Sequence, residues 1–356
     1  MIFRDTLRMY PKIDPKIDPK KHRLFFGRIS VFLLLLFVVA SLFSPREGMA
    51  FSFTHVFVLP QWSPQSQFAG IYVAYEKGFY LRRMLDVTLL RGGADADPWE
   101  YLQKGEADLV TQFLSSGLEA RDKGVPLVLL GQMVQKSSLM LVGRKDRGIA
   151  SLGDLSGRGV SLWEGPFRLG FDLLFEKEQI DPRIYPQYYS VNLFLRGVVD
   201  ACAAMYYNEY HVLYQAGFDF EELAPFFLEE YGLGFPEDGI YALESFYREN
   251  PEACADFVEA TLEGWAYARE NPEEALDIVM QYVDRAHVPA NRGHMRWMLE
   301  ALLPRILPES GDHWEPGVLS REEYRRAGEA LFQGKRINSL FPYEDFVIPR
   351  EVPHAP

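Results

Sequence analysis

The chain has 356 residues, 48% of them apolar and 14% aromatic, with 37 Lys and Arg against 50 Asp and Glu. That length and apolar content give room for two packed lobes and exclude a disordered chain. The first fifty residues carry nine of the basic and four of the acidic groups, which leaves 28 against 46 in the remainder, a net of −18; such a surface repels nucleic acid and anionic lipid.

Those fifty residues are unlike the rest. A polar segment with the repeat PKIDPKIDPK and a basic cluster (Lys20, Lys21, Arg23, Arg28) precedes an apolar run, Ile29 to Phe43, and a small-residue end, Gly48-Met49-Ala50. Basic, apolar, then small is the order of a secretory signal sequence, here with cleavage near Ala50. A retained amino-terminal membrane anchor is the alternative. Without a Cys beside the run, a lipid anchor is not expected. Cys202 and Cys254 are the only cysteines and form no CxxC pair, so a disulfide and two buried thiols both stay open. The seven His are scattered without metal-ligand spacing, and no metal or other cofactor is expected.

From Val56 to Leu59 an apolar run leads into Trp62 and the polar turn Ser63 to Gln67, and then into a helical pattern of Ile71, Ala74, Tyr75 and Gly78. Strand, turn, helix places this turn at the carboxyl end of a strand and the amino end of a helix, where open α/β sheets bind ligands. The spacing next predicts a strand over 86–90, a helix over 98–105 ended by Gly, a strand over 107–113, a helix capped by Ser115 and Ser116 and running to Lys123, and a strand over 125–132. This βαβαβαβ order implies a mostly parallel sheet with right-handed crossovers.

An extended stretch over 138–142 and the turn-rich GRKDRGIASLGDLSGR mark the passage to a second lobe. There the pattern restarts: strand 159–163, turn Glu164-Gly165-Pro166, helix 167–177, strand 186–191, short helix 193–198, strand 201–206, helix 211–216 and an edge segment 224–228. The turn Pro236-Glu237-Asp238-Gly239 and a strand over 240–243 lead back. Helices over 251–270, from Asn271-Pro272 onward, over 292–303 and over 321–332 follow. The expected organisation is a signal or anchor (1–50), a discontinuous first lobe (51–143 and 236–340), a second lobe (144–235) and an extended tail (341–356).

At this point the chain resembles the periplasmic substrate-binding proteins of ABC importers in the thiamine-pyrimidine, alkanesulfonate and nitrate group. The matching features are WSPQSQFAGIYVAYEKGFY at 62–80, GEADL at 105–109, IASLGDLSGRGV at 149–160, VDACAAMYYNEY at 199–210, GFPEDGIY at 234–241 and NPEA at 250–253. The resemblance implies an α/β, two-lobed periplasmic binding protein fold of type II, each lobe a mostly parallel sheet flanked by helices, closing on a ligand by hinge motion. It also implies an extracytoplasmic monomer that delivers a small molecule to an ABC permease and does not act as an enzyme.

In such a fold the strand-to-helix turns line the cleft. The expected ligand-binding residues are Trp62, Gln67, Gln112, Ser115, Gln135, Trp163, Glu164, Tyr206, Asn208, Glu209 and Asp238, with Gln65 and Ser116 beside them. Several have a plainer reading: Trp62 and Trp163 as packing, Ser115 and Ser116 as helix caps, Glu209 as a partner of the helix dipole, and Asp238 as turn chemistry. None of these turns holds a Lys or Arg, and two carboxylates facing an anion would repel it. Aromatic plates with amides and carboxylates instead suit a flat, nitrogen-rich ring, since a Glu can pair with both the amino N–H and the ring nitrogen of an aminopyrimidine. A thiamine-precursor pyrimidine or similar heterocycle is therefore expected. The alternatives are a sulfonate or nitrate binder of the same fold, a membrane-anchored ligand sensor, and the fungal type of pyrimidine synthase. The synthase's His in the first turn aligns with Phe68, and its cysteine-rich motif is missing.

Overall fold

The computed structural model describes residues 52–350, apart from 94, 310, 311 and 313. The expectations for 1–50 and for 351–356 lie outside these residues. Among the described residues no helix is long and apolar enough to cross a membrane.

Among the described residues ten strands form two sheets of five. The first holds β1 (Thr54–Leu59), β2 (Leu85–Leu89), β3 (Leu109–Gln112), β4 (Leu127–Val134) and β10 (Glu237–Leu243), in the order β2-β1-β3-β10-β4. The second holds β5 (Leu139–Arg144), β6 (Gly159–Leu162), β7 (Arg183–Pro186), β8 (Ala201–Met205) and β9 (Leu223–Phe227), in the order β7-β6-β8-β5-β9. The orders are equivalent. In each sheet the fourth strand is the one that has just crossed from the other lobe, and it runs antiparallel to both neighbours: β10 between β3 and β4, β5 between β8 and β9. This is the two-lobed periplasmic binding protein fold, with helices covering the sheets. Coverage on both faces explains why β4 reads LVLLGQMV, buried at every position and without alternation.

Several expected elements shift. The passage between lobes falls at 135–138, not at 144: residues 139–143 form a fully buried strand of the second sheet, as LMLVG suits a central position. The turn-rich stretch after it is a pair of 3-10 turns on that lobe's surface, with Ser151 and Asp154 capping one of them reciprocally. The strand expected over 186–191 is Arg183–Pro186; the chain then turns through Tyr188, whose φ is +53°. Ser115 and Ser116 lie inside the helix Leu114–Asp122, whose N-cap is Phe113, so they cap nothing. Residues 237–239 belong to β10, not to a turn. Cys202 and Cys254 are free and buried, one in β8 and the other in the helix Pro251–Glu270.

The tail expected over 341–356 packs as far as residue 350. Phe346, fully buried, ends the short helix Tyr343–Phe346, and Ile348 N donates to Leu129 O at 2.9 Å. The segment thereby occupies hydrogen-bonding groups of β4, the outermost strand of its sheet, which would otherwise be open to another chain.

The helix Ala69–Glu76, which follows the Trp62 turn, is clamped by the helix Pro251–Glu270 through glycine. A Cβ placed on Gly264 would lie 2.0 Å from the carbonyl oxygen of Gly70, and one on Gly70 would lie 2.2 Å from the Trp265 ring. Ala is the better helix former by about 1 kcal/mol, so Gly264→Ala should stabilise an ordinary helix. Here overpacking decides the sign, and a loss of about 1–3 kcal/mol in urea unfolding is expected; a gain would mean that the two helices stand further apart.

Candidate functional site: the cleft between the lobes

The two crossings are tied to each other at the floor of the cleft. Glu237, the first residue of β10, accepts from Ser137 Oγ at 2.6 Å and from Ser138 N at 2.8 Å, both in the crossing that leads to β5. Burial pushes its pKa up to about 7, against the lowering effect of those two donors and of Arg305.

Above this floor lies a cavity of about 30 Å³, lined by Trp62, Gln65, Gln67 and Phe113 from the first lobe and by Trp163, Phe167, Met205, Tyr207, Asn208 and Glu209 from the second. That is room for about one water. The residues arrive on strand ends: Trp62 to Gln67 after β1, Phe113 after β3, Trp163 after β6, and Met205 to Glu209 at the end of β8. Phe167 is the centre of the aromatic wall. Its ring meets Trp62 at 5.4 Å, Phe113 at 5.2 Å and Trp163 at 6.3 Å between centroids, all edge to face; the first two contacts join the lobes. At the rim Tyr189 sits 5.4 Å from Trp62 and donates through its hydroxyl to Asp95 at 3.1 Å.

Two carboxyls set the polarity of the site. Glu209 begins the helix Glu209–Gln215; one oxygen accepts from Met205 N at 2.9 Å and the other from Asn208 Nδ2 at 2.9 Å. It is part-buried where the cavity meets the protein interior, and burial pushes its pKa up to about 7 despite the backbone donors. Asp238, with φ of +54°, lies behind the wall. Gln67 Nε2 donates to its two oxygens at 2.9 and 3.0 Å, Gln61 Nε2 also donates to it, and Gln65 Nε2 donates to Gln67 Oε1 at 2.5 Å. Burial, with Glu237 next to it in the chain, holds the Asp238 pKa well above the usual carboxylate range. The chain Asp238, Gln67, Gln65 fixes which amide atoms face the cavity.

Of the eleven expected residues, Trp62, Gln67, Trp163, Asn208 and Glu209 line the cavity. Asp238 does not line it but holds Gln67. The other five are elsewhere. Gln112 turns back to accept from Phe113 N, Ser115 is buried in its helix, and Gln135 donates to Gln132 O. Glu164 is exposed, and Tyr206 faces away from the cavity into a cluster with Tyr210 and Trp297. The alternation along 205–207 explains the last case: Met205 and Tyr207 point in, Tyr206 out. Phe113, Phe167, Met205 and Tyr207 were missed, although Phe113 and Tyr207 each stand one residue beyond an expected position.

The cavity opens into a larger chamber of about 560 Å³ that shares Trp62, Gln65, Asn208 and Glu209 with it and is bounded further out by the loops after β2 and β7 and by the helix Arg292–Ile306. There the lobes meet again. His211 Nδ1 and His294 Nδ1 are 2.8 Å apart, and His294 Nε2 lies 2.8 Å from Asn208 Oδ1. Burial lowers both imidazole pKa values, that of His294 to about 4, so the pair is neutral and one ring donates.

A family profile described as NMT1/THI5 like matches residues 65–275, more than half of the chain. A formylaminopyrimidine-binding protein of Halalkalibacterium halodurans is 26% identical over 307 residues, covering 84% of this chain and 91% of its own. A 4-amino-5-hydroxymethyl-2-methylpyrimidine phosphate synthase of Legionella pneumophila is 25% identical over 253 residues, covering 66% of this chain and 76% of its own. Among solved structures, the alkanesulfonate-binding protein SsuA from Xanthomonas axonopodis pv. citri, bound to MOPS, superposes with a TM-score of 0.63 at 14% identity, covering 83% of this chain and 99% of that one.

The raised pKa of Glu237 makes a signed prediction. The folded protein keeps a proton that the unfolded chain releases above about pH 4.3, so this group's stabilisation is complete below that pH and is lost as the pH rises to about 7. Urea unfolding at pH 4.3 and at pH 7.5 should show wild type losing more stability than Glu237→Gln, by on the order of 3 kcal/mol. Equal losses would mean that the hinge carboxyl is well solvated.

Proposed function

The chain belongs to the NMT1/THI5-like family, and from that premise we propose that it is an exported solute-binding protein that captures a flat, nitrogen-rich heterocycle, an aminopyrimidine of the thiamine-precursor kind, and hands it to an ABC permease. The observation that carries the ligand class is the Glu209 carboxyl in an aromatic wall, with its pKa pushed up to about 7. At neutral pH it exists in both protonation states, so it can accept from an exocyclic amino group while sharing a proton with the adjacent ring nitrogen. Trp62, Trp163 and Phe167 offer ring faces or edges to such a guest. Asn208 and Gln65 add amide donors and acceptors to fix its orientation.

The name of the Halalkalibacterium relative supports this class. The likeness to SsuA supports the fold, while the carboxyl in the inner wall disfavours a sulfonate held there. The Legionella relative raises synthase chemistry. Against it, Phe68 stands where the fungal synthase pattern has His, and neither cysteine reaches the cavity.

Thermal-shift screening should single out aminopyrimidines, with about 2.7 kcal/mol of added stability at a hundred times the dissociation constant; a response to alkanesulfonates alone would overturn the ligand class and leave the fold intact. In calorimetry, Glu209→Gln should weaken an aminopyrimidine by about 1–3 kcal/mol, the range for a charged hydrogen bond, and undiminished affinity would remove Glu209 from the site. Amino-terminal sequencing of the protein from its native host should return a start near Phe51, whereas an intact Met1 would mean a retained anchor.

A further inference from the structure

Resting on the ring-binding reading above, we propose that the outer chamber is a second subsite that takes an anionic arm, a carboxylate or a phosphate monoester, carried by the same heterocycle, with Arg91 as its counter-ion. The inner cavity, about 30 Å³, meets only one end of a ligand, whereas the chamber against it holds about 560 Å³ and shares four wall residues with it. A guest bound by Glu209 and Trp62 therefore extends outward into a space much larger than a bare ring needs.

The chamber's charges define what that extension carries. Among the described residues Arg91 is the one guanidinium on its wall, and it has no carboxylate, hydrogen-bond or aromatic partner there. Among the described lining residues Glu209, at the inner end, supplies the carboxyl and His287 and His294 the imidazoles, while Asp95 stands behind Tyr189 at the rim. The amino end of the fifteen-residue helix Arg292–Ile306 adds its partial positive charge, with Asn291 as cap accepting from His294 N at 2.9 Å. Beyond residue 50 the chain carries 46 acidic groups against 28 basic ones, so an arginine on this wall, with Glu209 at the inner end and Asp95 held by Tyr189 at the rim, is a local departure from the surface charge.

The backbone on either side of Arg91 is fixed in place, although the residue itself is exposed. Leu90 N donates to Val58 O at 2.8 Å and so continues the β1–β2 ladder up to it. Gly92, next in the chain, is pressed against the Trp62 turn: a Cβ there would lie 1.9 Å from Pro60 O and 2.6 Å from Trp62 O. The loop that carries the guanidinium is thus seated on the turn that carries the stacking ring. A planar fork on such a support suits a two-oxygen anion.

Calorimetry on the mature protein tests this with three aminopyrimidines of one ring, bearing a neutral hydroxymethyl arm, its carboxylate counterpart or its phosphate monoester. At least one anionic ligand should bind wild type ten- to a hundredfold more tightly than the alcohol, roughly the range of a charge-assisted bond. The ratio should fall to near one in Arg91→Ala, and should shrink with added salt in wild type. Which anion gains identifies the arm. If the alcohol binds as tightly as both anions, or if Arg91→Ala leaves the ratio unchanged, the subsite is overturned while the ring reading stands. If none of the three binds, the ring reading fails and the subsite with it.

Discussion

The structure depends on two strands that exchange lobes. Each sheet is completed by a strand inserted antiparallel at its fourth position straight after a crossing, so neither sheet is whole without the chain passing between them. The crossings are short, and Glu237 ties them together by accepting from Ser137 and Ser138. A carboxyl in that position costs desolvation, visible in its raised pKa, and its second oxygen has no partner among the described residues. An apolar residue would remove that cost but would also remove the hydrogen bonds to Ser137 and Ser138. The carboxyl is therefore best understood as fixing the geometry of the hinge.

From this follows the chemistry above it. Because the strand ends of both sheets converge on the hinge, so do the groups mounted on them, and aromatic rings from both lobes exclude water from the space between. In that low dielectric a carboxyl keeps its proton to higher pH, which is how Glu209 and Asp238 come to depart from the ordinary carboxylate range in the same direction. Their roles differ through position. Glu209 reaches the cavity, whereas Asp238 lies one layer back and acts through Gln67, setting which end of that amide faces inward.

Much of the fold is legible in the sequence, because apolar runs alternating with helical spacing mark each βα unit, and Gly or Pro closes them. What misled was local chemistry overridden by tertiary context. Gly-rich polarity after 143 suggested a linker, yet the strand before it already belonged to the second sheet. Pro236 to Gly239 has the composition of a turn, but β10 needs those residues as its first rungs, and Asp238 tolerates a left-handed φ there. At the cavity, the strand-end rule named turns that line it but not which side chain of each points inward. A helix or strand entry rotates neighbouring residues to opposite sides, so Tyr206 and Gln112 fell outside while Tyr207 and Phe113 fell inside. Arg91, the proposed counter-ion, was reachable by the same rule, since it follows β2 as Trp62 follows β1.

The contacts that hold the lobes together beyond the hinge are numerous but individually weak. They include the edge-to-face rings around Phe167, the neutral His211–His294 pair, the Trp297 indole N–H donating to Tyr206 O at 3.2 Å, and the Arg336–Asp172 ion pair at 3.2 Å on the far side. Aromatic pairs of this kind contribute about 0.5–1.5 kcal/mol each and part-exposed ion pairs less than about 1 kcal/mol. Water regains access to these groups when the lobes part, which offsets much of what is broken. Contacts of this strength sum to only a few kcal/mol, so on the proposed function a guest too large for a 30 Å³ cavity would enter between parted lobes and supply, through contacts with Trp62 and Glu209, the interactions that the lobes otherwise make with each other.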